Sequence, residues 1–168
     1  MSNIAAGTHD QIDQLFKEEG LVERVVQMAC DDKWEVRREA IWFVANIFTT
    51  GTDYHLRSLV QKEGFSAIAT ALDVKDAKIV DVALEATDKI LDVGLKLNLN
   101  YSHVFDEYGG LDKLEELQQH PSEQVYERSV EILDKYFETE EEEDKNMDLA
   151  GNIPGRTRRR PCRSRSWA

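Results

Sequence analysis

Apolar side chains recur at every third or fourth position along most of the chain, which is the pattern of helices that bury one face. The most regular stretch places Val36, Ala40, Phe43, Val44 and Ile47 on such a stripe. This spacing indicates helix, and we expect no strand between residues 8 and 138. The predicted helices, each boundary being accurate to about two to four residues, span 9–19, 21–30, 34–49, 54–63, 65–73, 77–94, 98–108, 111–119 and 123–138.

The helical pattern repeats itself three times. Residues 15–32, 59–76 and 104–121 each contain an apolar helix end, a charged step, a glycine and a second amphipathic helix. The glycines of these segments are Gly20, Gly64, and Gly109 or Gly110. Successive distances between Gly20, Gly64 and Gly109 are 44 and 45 residues. This is the period of armadillo and HEAT repeats, about 40–47 residues. A third, longer helix follows in each unit, which favours the armadillo pattern.

Glycines also follow two of these long helices. Gly51 and Gly94 stand near the positions where the apolar periodicity ends. We therefore predict that each takes a left-handed conformation as a helix C-cap.

The net charge is −12, but six arginines lie among the last thirteen residues, so residues 1–155 alone carry −18. Such an acidic field repels nucleic acid and anionic membranes and attracts basic peptides. The acidity is equally compatible with a role in solubility alone. No run of about 18 apolar residues is present, so we expect no membrane span.

Catalytic and metal-binding patterns are missing from the sequence. His9 and His55 fall at matching places in successive repeats, so we expect them to lie one repeat apart and not around one ion. His103 and His120 are interpreted in the same way, as surface or packing residues. We find no phosphate-binding glycine loop and no nucleophile elbow. The sequence predicts a binding protein without cofactor or metal, and not an enzyme.

The helix around residues 38–46 carries the most specific motif, REAIWFVAN. Trp42 and Asn46 are four residues apart and therefore project from one face. An indole can lie along the methylenes of a lysine or arginine and add a cation–π contribution. The Asn amide can pair with a peptide N–H and C=O in any sequence. Alternatively, Trp42 is a core residue and Asn46 a satisfied helix polar group.

This motif resembles the third-helix motif of the importin-α family. The resemblance extends from residue 2 to 146 and includes NIAAGTHDQI (3–12), KIVDVAL (78–84), YGGLDKLEELQQH (108–120) and YFETEEEED (136–144). It implies an all-α, armadillo-repeat, right-handed superhelical solenoid. The implied layout is the end of a truncated repeat at 1–7, repeats at 8–50, 51–97 and 98–138, an acidic disordered tail at 139–153 and a basic tail at 154–168.

The resemblance also implies a peptide site. Asn3, Glu39, Trp42 and Asn46 would form part of the minor site for nuclear localisation signals, with Glu39 meeting a basic side chain. The major site and the importin-β-binding segment lie in parts of the family that this sequence does not contain. We expect Trp42 to be only partly buried, and Trp34 to serve packing or the outer surface.

The later repeats depart from the motif. The positions that match Trp42 and Asn46 hold Glu85 and Lys89 in one repeat and Glu131 and Lys135 in the next. By resemblance, this end of the family contacts an export receptor of the exportin family and a nucleoporin. The acidic residues that would contribute to those contacts are Glu140, Glu141, Glu142, Glu143 and Asp144.

The predicted function is therefore that of a nuclear import adaptor that binds basic localisation-signal cargo and shuttles between cytoplasm and nucleus. The alternative is an armadillo scaffold for an extended segment of a different partner. For the arginine-rich tail at 154–168, a localisation or nucleic-acid patch and a vector-derived extension are both open. We expect the chain beyond about Lys145 to make no contact with the helices, or to touch them only where its arginines meet the acidic surface, because it has few apolar residues to offset the entropy of ordering.

Overall fold

The computed structural model describes residues 8–137, and within this range every regular element is an α-helix. The helices follow one another in three groups of three, as the repeating pattern predicted. Their bounds are α1 His9–Lys17, α2 Leu21–Asp31, α3 Trp34–Thr50, α4 Asp53–Gln61, α5 Gly64–Leu72, α6 Ala77–Lys96, α7 Tyr101–Glu107, α8 Gly110–Leu117 and α9 Glu123–Tyr136.

The groups stack with like helices side by side. The third helices form one layer, in which α3 packs on α6 and α6 on α9, and the second helices α2, α5 and α8 form the other layer. Each third helix also packs on the second helix of its own group. The chain is thus an all-α solenoid, in which each unit buries its apolar faces on its neighbours.

Aromatic rings join the core of the three groups. Phe65 stacks on Phe48 of the preceding group with ring centroids 6.1 Å apart. On its other side, Phe65 meets Phe105 of the following group at 5.5 Å and Tyr101 at 6.0 Å. Phe48, Phe65 and Phe105 have no solvent exposure. The core is therefore continuous along the stack, and the loss of one ring would affect two junctions.

The turn between the first and second helix of each group uses the left-handed backbone conformation. Gly20, Glu63 and Gly109 take φ angles of 73°, 63° and 76° and act as the N-caps of α2, α5 and α8. The internal repeat in the sequence had matched Gly64 with Gly20, and that match is wrong by one residue. Glu63, and not a glycine, holds the strained position in the middle group.

Gly64 has a different role, which is to allow close packing. A Cβ at this residue would lie 2.7 Å from Leu59 Cγ and 3.0 Å from Phe48 Cζ. Contacts this short do not occur between real side chains, so only glycine fits at the first position of α5 without displacement of the core.

The predicted left-handed C-caps at Gly51 and Gly94 are wrong. Gly51 does follow α3, but its backbone is extended, with φ −69° and ψ 161°. Gly94 lies inside α6, where a Cβ would approach the Cβ of Tyr101 to 2.9 Å. Gly94 therefore lets α7 pack closely against α6 and does not end the helix.

An asparagine ends α6 instead. Asn98 takes a φ of 54°, and its N–H donates to the carbonyl of Leu95 at 3.2 Å. The N–H of Leu99 donates to the carbonyl of Gly94 at 2.8 Å. These bonds form a Schellman motif with Asn at the left-handed position. The motif occupies the residues before Tyr101, so α7 begins three residues later than predicted, whereas the other helix boundaries agree within two.

Charged pairs connect neighbouring groups beside the layer of second helices. Lys62 pairs with Glu23 of the preceding group, and Lys113 pairs with Asp73 at 2.9 Å. The hydrogen bond from Lys62 holds the pKa of Glu23 below its usual value. Burial lowers the pKa of Lys113, but the hydrogen bonds and charges of Asp73 and Glu116 together outweigh it, and the net pKa is raised. Exposed pairs of this kind contribute little energy each, but they favour one register of stacking.

Candidate functional site

The predicted peptide-binding residues of α3 lie on a single stripe of that helix. Glu39, Trp42 and Asn46 follow one another at spacings of three and four residues, so they share one face. Glu39 is exposed, whereas Trp42 and Asn46 are half-buried. Ala40 and Phe43, on the adjoining flank of the helix, are buried in the core. The apolar periodicity of α3 therefore orients the stripe away from the core.

Trp42 is the aromatic centre of this stripe. Its ring packs partly on the hydrophobic core and leaves the remainder exposed, as predicted. Trp34 begins the same helix but is 40% exposed and lies with Asp32 and Arg37 in an open depression between α2 and α3. Trp42 is thus held by the core with one part free, which is the arrangement that a ring needs to receive an aliphatic stem.

The last turn of α3 is fixed by side-chain hydroxyl groups. The Oγ1 atoms of Thr49 and Thr50 donate to the backbone carbonyl of Asn46 at 3.1 and 2.7 Å. His9 at the start of α1 lies 3.1 Å from the carbonyl of Thr50 through its Nε2 atom. His9 thereby contacts one of the last four carbonyls of the helix, which accept no bond within it, and the two hydroxyl groups add bonds at the carbonyl of Asn46. They hold the backbone beneath the Asn46 side chain in place.

The same face changes character along α6 and α9. Helix starts show that Glu85 and Lys89 of α6 occupy the positions of Trp42 and Asn46. Asp81 of α6 accepts a hydrogen bond from Gln124 Nε2 at 3.2 Å and lies 3.5 Å from Arg128 Nη1 of α9. The Trp and Asn side chains of α3 are thus replaced on α6 and α9 by charged groups, and some of these pair between the two helices.

A second cluster joins α6 to α9 about two helical turns further on. Lys135 Nζ lies 3.1 Å from Asp88 Oδ1 and 4.7 Å from the ring centroid of Tyr136. The Tyr136 hydroxyl donates to the carboxylate and to the backbone carbonyl of Asp88, at 2.7 and 2.9 Å. Burial raises the pKa of the Tyr136 hydroxyl, and the Asp88 carboxylate raises it further. Tyr136 therefore remains a hydrogen-bond donor throughout the neutral range.

Sequence reasoning did not predict these clusters, although the sequence contains a signal for them. In each ion pair between groups, the carboxylate belongs to the earlier group and the cation to the later one: Glu23 and Lys62, Asp73 and Lys113, Asp81 and Arg128, Asp88 and Lys135. The hydrogen bond between Asp13 and His55 has the same order. The two members are separated by 39 to 47 residues in these pairs. A search for opposite charges near the repeat period would have found them.

The histidines have structural positions in the described part of the chain. The buried ring of His55 accepts a hydrogen bond from the Thr52 N–H at Nδ1, 3.1 Å away, and stacks on Phe16. Its Nε2 therefore carries the proton and donates to Asp13 at 2.6 Å. Between residues 8 and 137, no three His, Cys, Asp or Glu side chains are grouped as metal ligands. No helix of that range combines the length and the apolar character of a membrane span.

Several predicted residues lie outside the described range. These are Asn3 and the acidic group Glu140, Glu141, Glu142, Glu143 and Asp144. Their predicted roles in the peptide site and in contacts with transport factors remain predictions. The same holds for the tails at 139–153 and 154–168 and for the division into repeats at 8–50, 51–97 and 98–138.

Comparison with known proteins gives a consistent assignment. The family model described as Atypical Arm repeat matches residues 99–150. Importin subunit alpha-5 of Arabidopsis thaliana is 31% identical over 73% of this chain and 24% of its own length. Importin subunit alpha-4 of the same plant is 32% identical over 90% of this chain and 29% of its own length. The chain thus spans about a quarter of the length of these curated relatives.

Solved structures with the same fold are designed armadillo repeat proteins. One, designed computationally for modular peptide recognition, has a TM-score of 0.66 and 27% identity over 80% of this chain and 54% of its own. Another, solved in complex with the peptide (KR)4, has a TM-score of 0.61 and 27% identity over 77% of this chain and 52% of its own. The fold is therefore an armadillo-repeat solenoid.

Proposed function

Because the chain belongs to the importin-α family of armadillo-repeat proteins, we propose that it is a non-enzymatic scaffold that binds extended peptides rich in lysine and arginine. The proposal rests mainly on one observation, the half-exposed indole of Trp42 between Glu39 and Asn46 on one stripe of α3. The peptide (KR)4 bound by a designed relative of the fold gives independent support.

Each residue of the stripe has a separate task in this proposal. The Trp42 ring receives the methylenes of one lysine or arginine, and its face attracts the cation by about 0.5–2 kcal/mol. The Asn46 amide pairs with the peptide backbone, which makes binding independent of the neighbouring side chains. Glu39 offers an exposed carboxylate to the cationic head group. Asn3 would extend the array towards the preceding repeat.

Nuclear localisation signals are the cargo class that fits these tasks, since they are short and basic. The chain would then act as part of a nuclear import adaptor, at the minor cargo site, and would be found in both cytoplasm and nucleus. An export receptor of the exportin family and a nucleoporin are further proposed partners, through Glu140 to Asp144. The strongly acidic body of the chain, −18 over residues 1–155, supports rapid encounter with such basic partners.

The second candidate is an armadillo scaffold for another partner's extended or disordered segment. The charged pairs between α6 and α9 favour it for the later repeats, because Asp81 and Asp88 already have cationic partners within the chain. A partner on that part of the face would need polar groups of both signs and not a run of cations.

Calorimetric titration tests the main proposal with a Lys/Arg-rich peptide and a copy in which serine replaces every basic residue. We expect binding of the basic peptide only, and an affinity that falls with added salt because part of it is electrostatic. Trp42→Ala should weaken binding by about 1–2 kcal/mol, roughly 5- to 30-fold. Asn46→Ala should have a similar effect, through peptide backbone groups left unpaired.

Trp34→Ala provides the matched control, because it removes an indole from the same helix outside the stripe. We expect it to leave peptide affinity unchanged. If Trp42→Ala instead left the affinity unchanged and lowered the melting temperature sharply, Trp42 would be a core residue and the proposed site would be wrong.

A further inference from the structure

Helix α9 of the last group carries a partly exposed apolar stripe, and the equivalent residues of α6 are covered. Helices α6 and α9 begin at Ala77 and Glu123, so positions 46 residues apart are equivalent. Val80, Leu84 and Thr87 of α6 have no solvent exposure. Their equivalents in α9 are Tyr126, which is 45% exposed, and Val130 and Leu133, which are half-buried. We call these three residues of α9 the end stripe.

The end stripe marks the surface that a following group would cover. Other equivalent pairs stay buried in both helices, as Ile79 and Val125 or Ala86 and Ile132 do. The difference is therefore confined to one side of α9, and α9 lacks a following helix group in the described range. A solenoid normally ends in a unit with a polar outer surface, because exposed stacking faces associate with other molecules. Tyr126, Val130 and Leu133 do not form such a surface.

The family match indicates what covers the stripe. The Atypical Arm repeat extends to residue 150, whereas α9 ends at Tyr136. The family match therefore continues through residues 138–150. We propose that the segment 138–150 folds back along α9 and covers the end stripe with Met147 and Leu149. This differs from the solvated tail that sequence reasoning predicted.

The geometry and the apolar residues of the segment fit the stripe. In an extended chain, Met147 and Leu149 point to the same side and lie about 6.6–6.8 Å apart. Tyr126 and Val130 lie about 6 Å apart along their helix, at a rise of 1.5 Å per residue. The residues between Phe137 and Met147 can span about 30 Å, and Tyr126 lies only about 16 Å back from Phe137 along the helix.

Charge separates this occupant from the arginine-rich segment 154–168. Glu127, Glu131 and Asp134 are exposed on α9, and the segment 138–150 itself contains the acidic run Glu140 to Asp144. Like charges oppose the fold-back, so salt should strengthen it by screening them. A basic occupant would be attracted by the same carboxylates and weakened by salt. The sign of the salt effect therefore identifies the segment.

Hydrogen–deuterium exchange of the full chain, read by mass spectrometry, tests the proposal. We expect the amides of residues 145–150 to exchange at least about ten-fold more slowly than an unprotected chain, and more slowly still in added salt. The double variant Met147→Ser with Leu149→Ser should lose this protection. Asn146→Ser with Asp148→Ser, which changes the polar residues of the same segment, is the matched control and should keep it.

The reciprocal variant Tyr126→Ser with Leu133→Ser should also remove the protection at 145–150 while the exchange of α5 and α6 is unchanged. Unprotected amides at 145–150 in the original chain would overturn the proposal. So would protection that survives the reciprocal variant, because it would then be local structure without docking. Protection of α9 that depends on protein concentration would assign the stripe to a second copy, and protection at 154–168 that salt abolishes would assign it to the basic segment.

Discussion

At position 63, glycine should make this protein more stable than glutamine does, although glycine substitutions usually have the opposite effect. Glu63 holds a φ of 63° and a ψ of 25° at the N-cap of α5. The equivalent residues of the other two groups, Gly20 and Gly109, are glycines in the same conformation. A Cβ at either glycine would meet nothing within 4 Å, so the disadvantage of a side chain here is conformational and not steric.

The size of the effect follows from three contributions. The left-handed conformation costs an L-residue about 1–2 kcal/mol. Glycine loses about 0.5–1 kcal/mol more conformational entropy on folding than other residues do. The charge of Glu63 at the start of α5 adds about 0.3–1 kcal/mol through the helix dipole, and its loss would obscure the comparison. Glu63→Gln removes the charge alone, so relative to it Glu63→Gly should be more stable by about 0.5–1 kcal/mol.

Urea unfolding followed by circular dichroism measures this difference. The matched control is Glu85, which is exposed in the middle of α6, where glycine should be about 1 kcal/mol less stable than glutamine. We therefore expect opposite signs for the same Gln-to-Gly comparison at the two positions. If the glycine variant were less stable than the glutamine variant at both positions, the left-handed backbone at Glu63 would not lower the stability of the protein. The reasoning from Gly20 and Gly109 would then be wrong.

Two further predictions concern packing and ionisation. Gly110→Ala should destabilise the chain by about 1–3 kcal/mol in urea unfolding, because its Cβ would lie 2.3 Å from the buried Phe105 ring, and full stability would show that the ring can move aside. Lys62→Met should return the lowered pKa of Glu23 towards 4.5 in a carboxyl NMR titration, while Lys33→Met should not. The pKa of Glu23 is lower in the folded than in the unfolded protein, so the stability from this pair is present above pH 4.5 and is lost as the pH falls through the folded pKa. Lys62→Met should therefore make the free energy of unfolding less dependent on pH in this range.

The helices and their grouping could be predicted from the sequence because both depend on local patterns. Apolar spacing locates each buried face, and repetition of the pattern reveals the stacking unit. The errors arose where packing decides the outcome. Glycine is typical of a helix C-terminus, but Gly94 lies inside α6, where the close approach of Tyr101 requires a residue without a side chain. Asn98 ends α6 because its neighbours complete the Schellman bonds, which composition does not reveal.

The candidate site was predictable in part for a similar reason. The spacing of Glu39, Trp42 and Asn46 determines that they share a face once α3 is a helix. The partial exposure of Trp42 depends on which side of α3 the neighbouring helices cover, so the sequence supported a core tryptophan as well. The expectation for the ring came from the family resemblance and agrees with the structure.

The charge pairs between groups also bear on where a basic ligand would bind. A lysine of a peptide gains most from a carboxylate that has no other cation nearby, because a second cation opposes it. Asp88 lies 3.1 Å from Lys135, and Asp81 lies 3.5 Å from Arg128, so on α6 the carboxylates already have partners from α9. The indole of Trp42 lies earlier on the same face, on α3. These pairs therefore disfavour a basic peptide at the junction of α6 and α9, and we expect the proposed peptide site to be confined to α3.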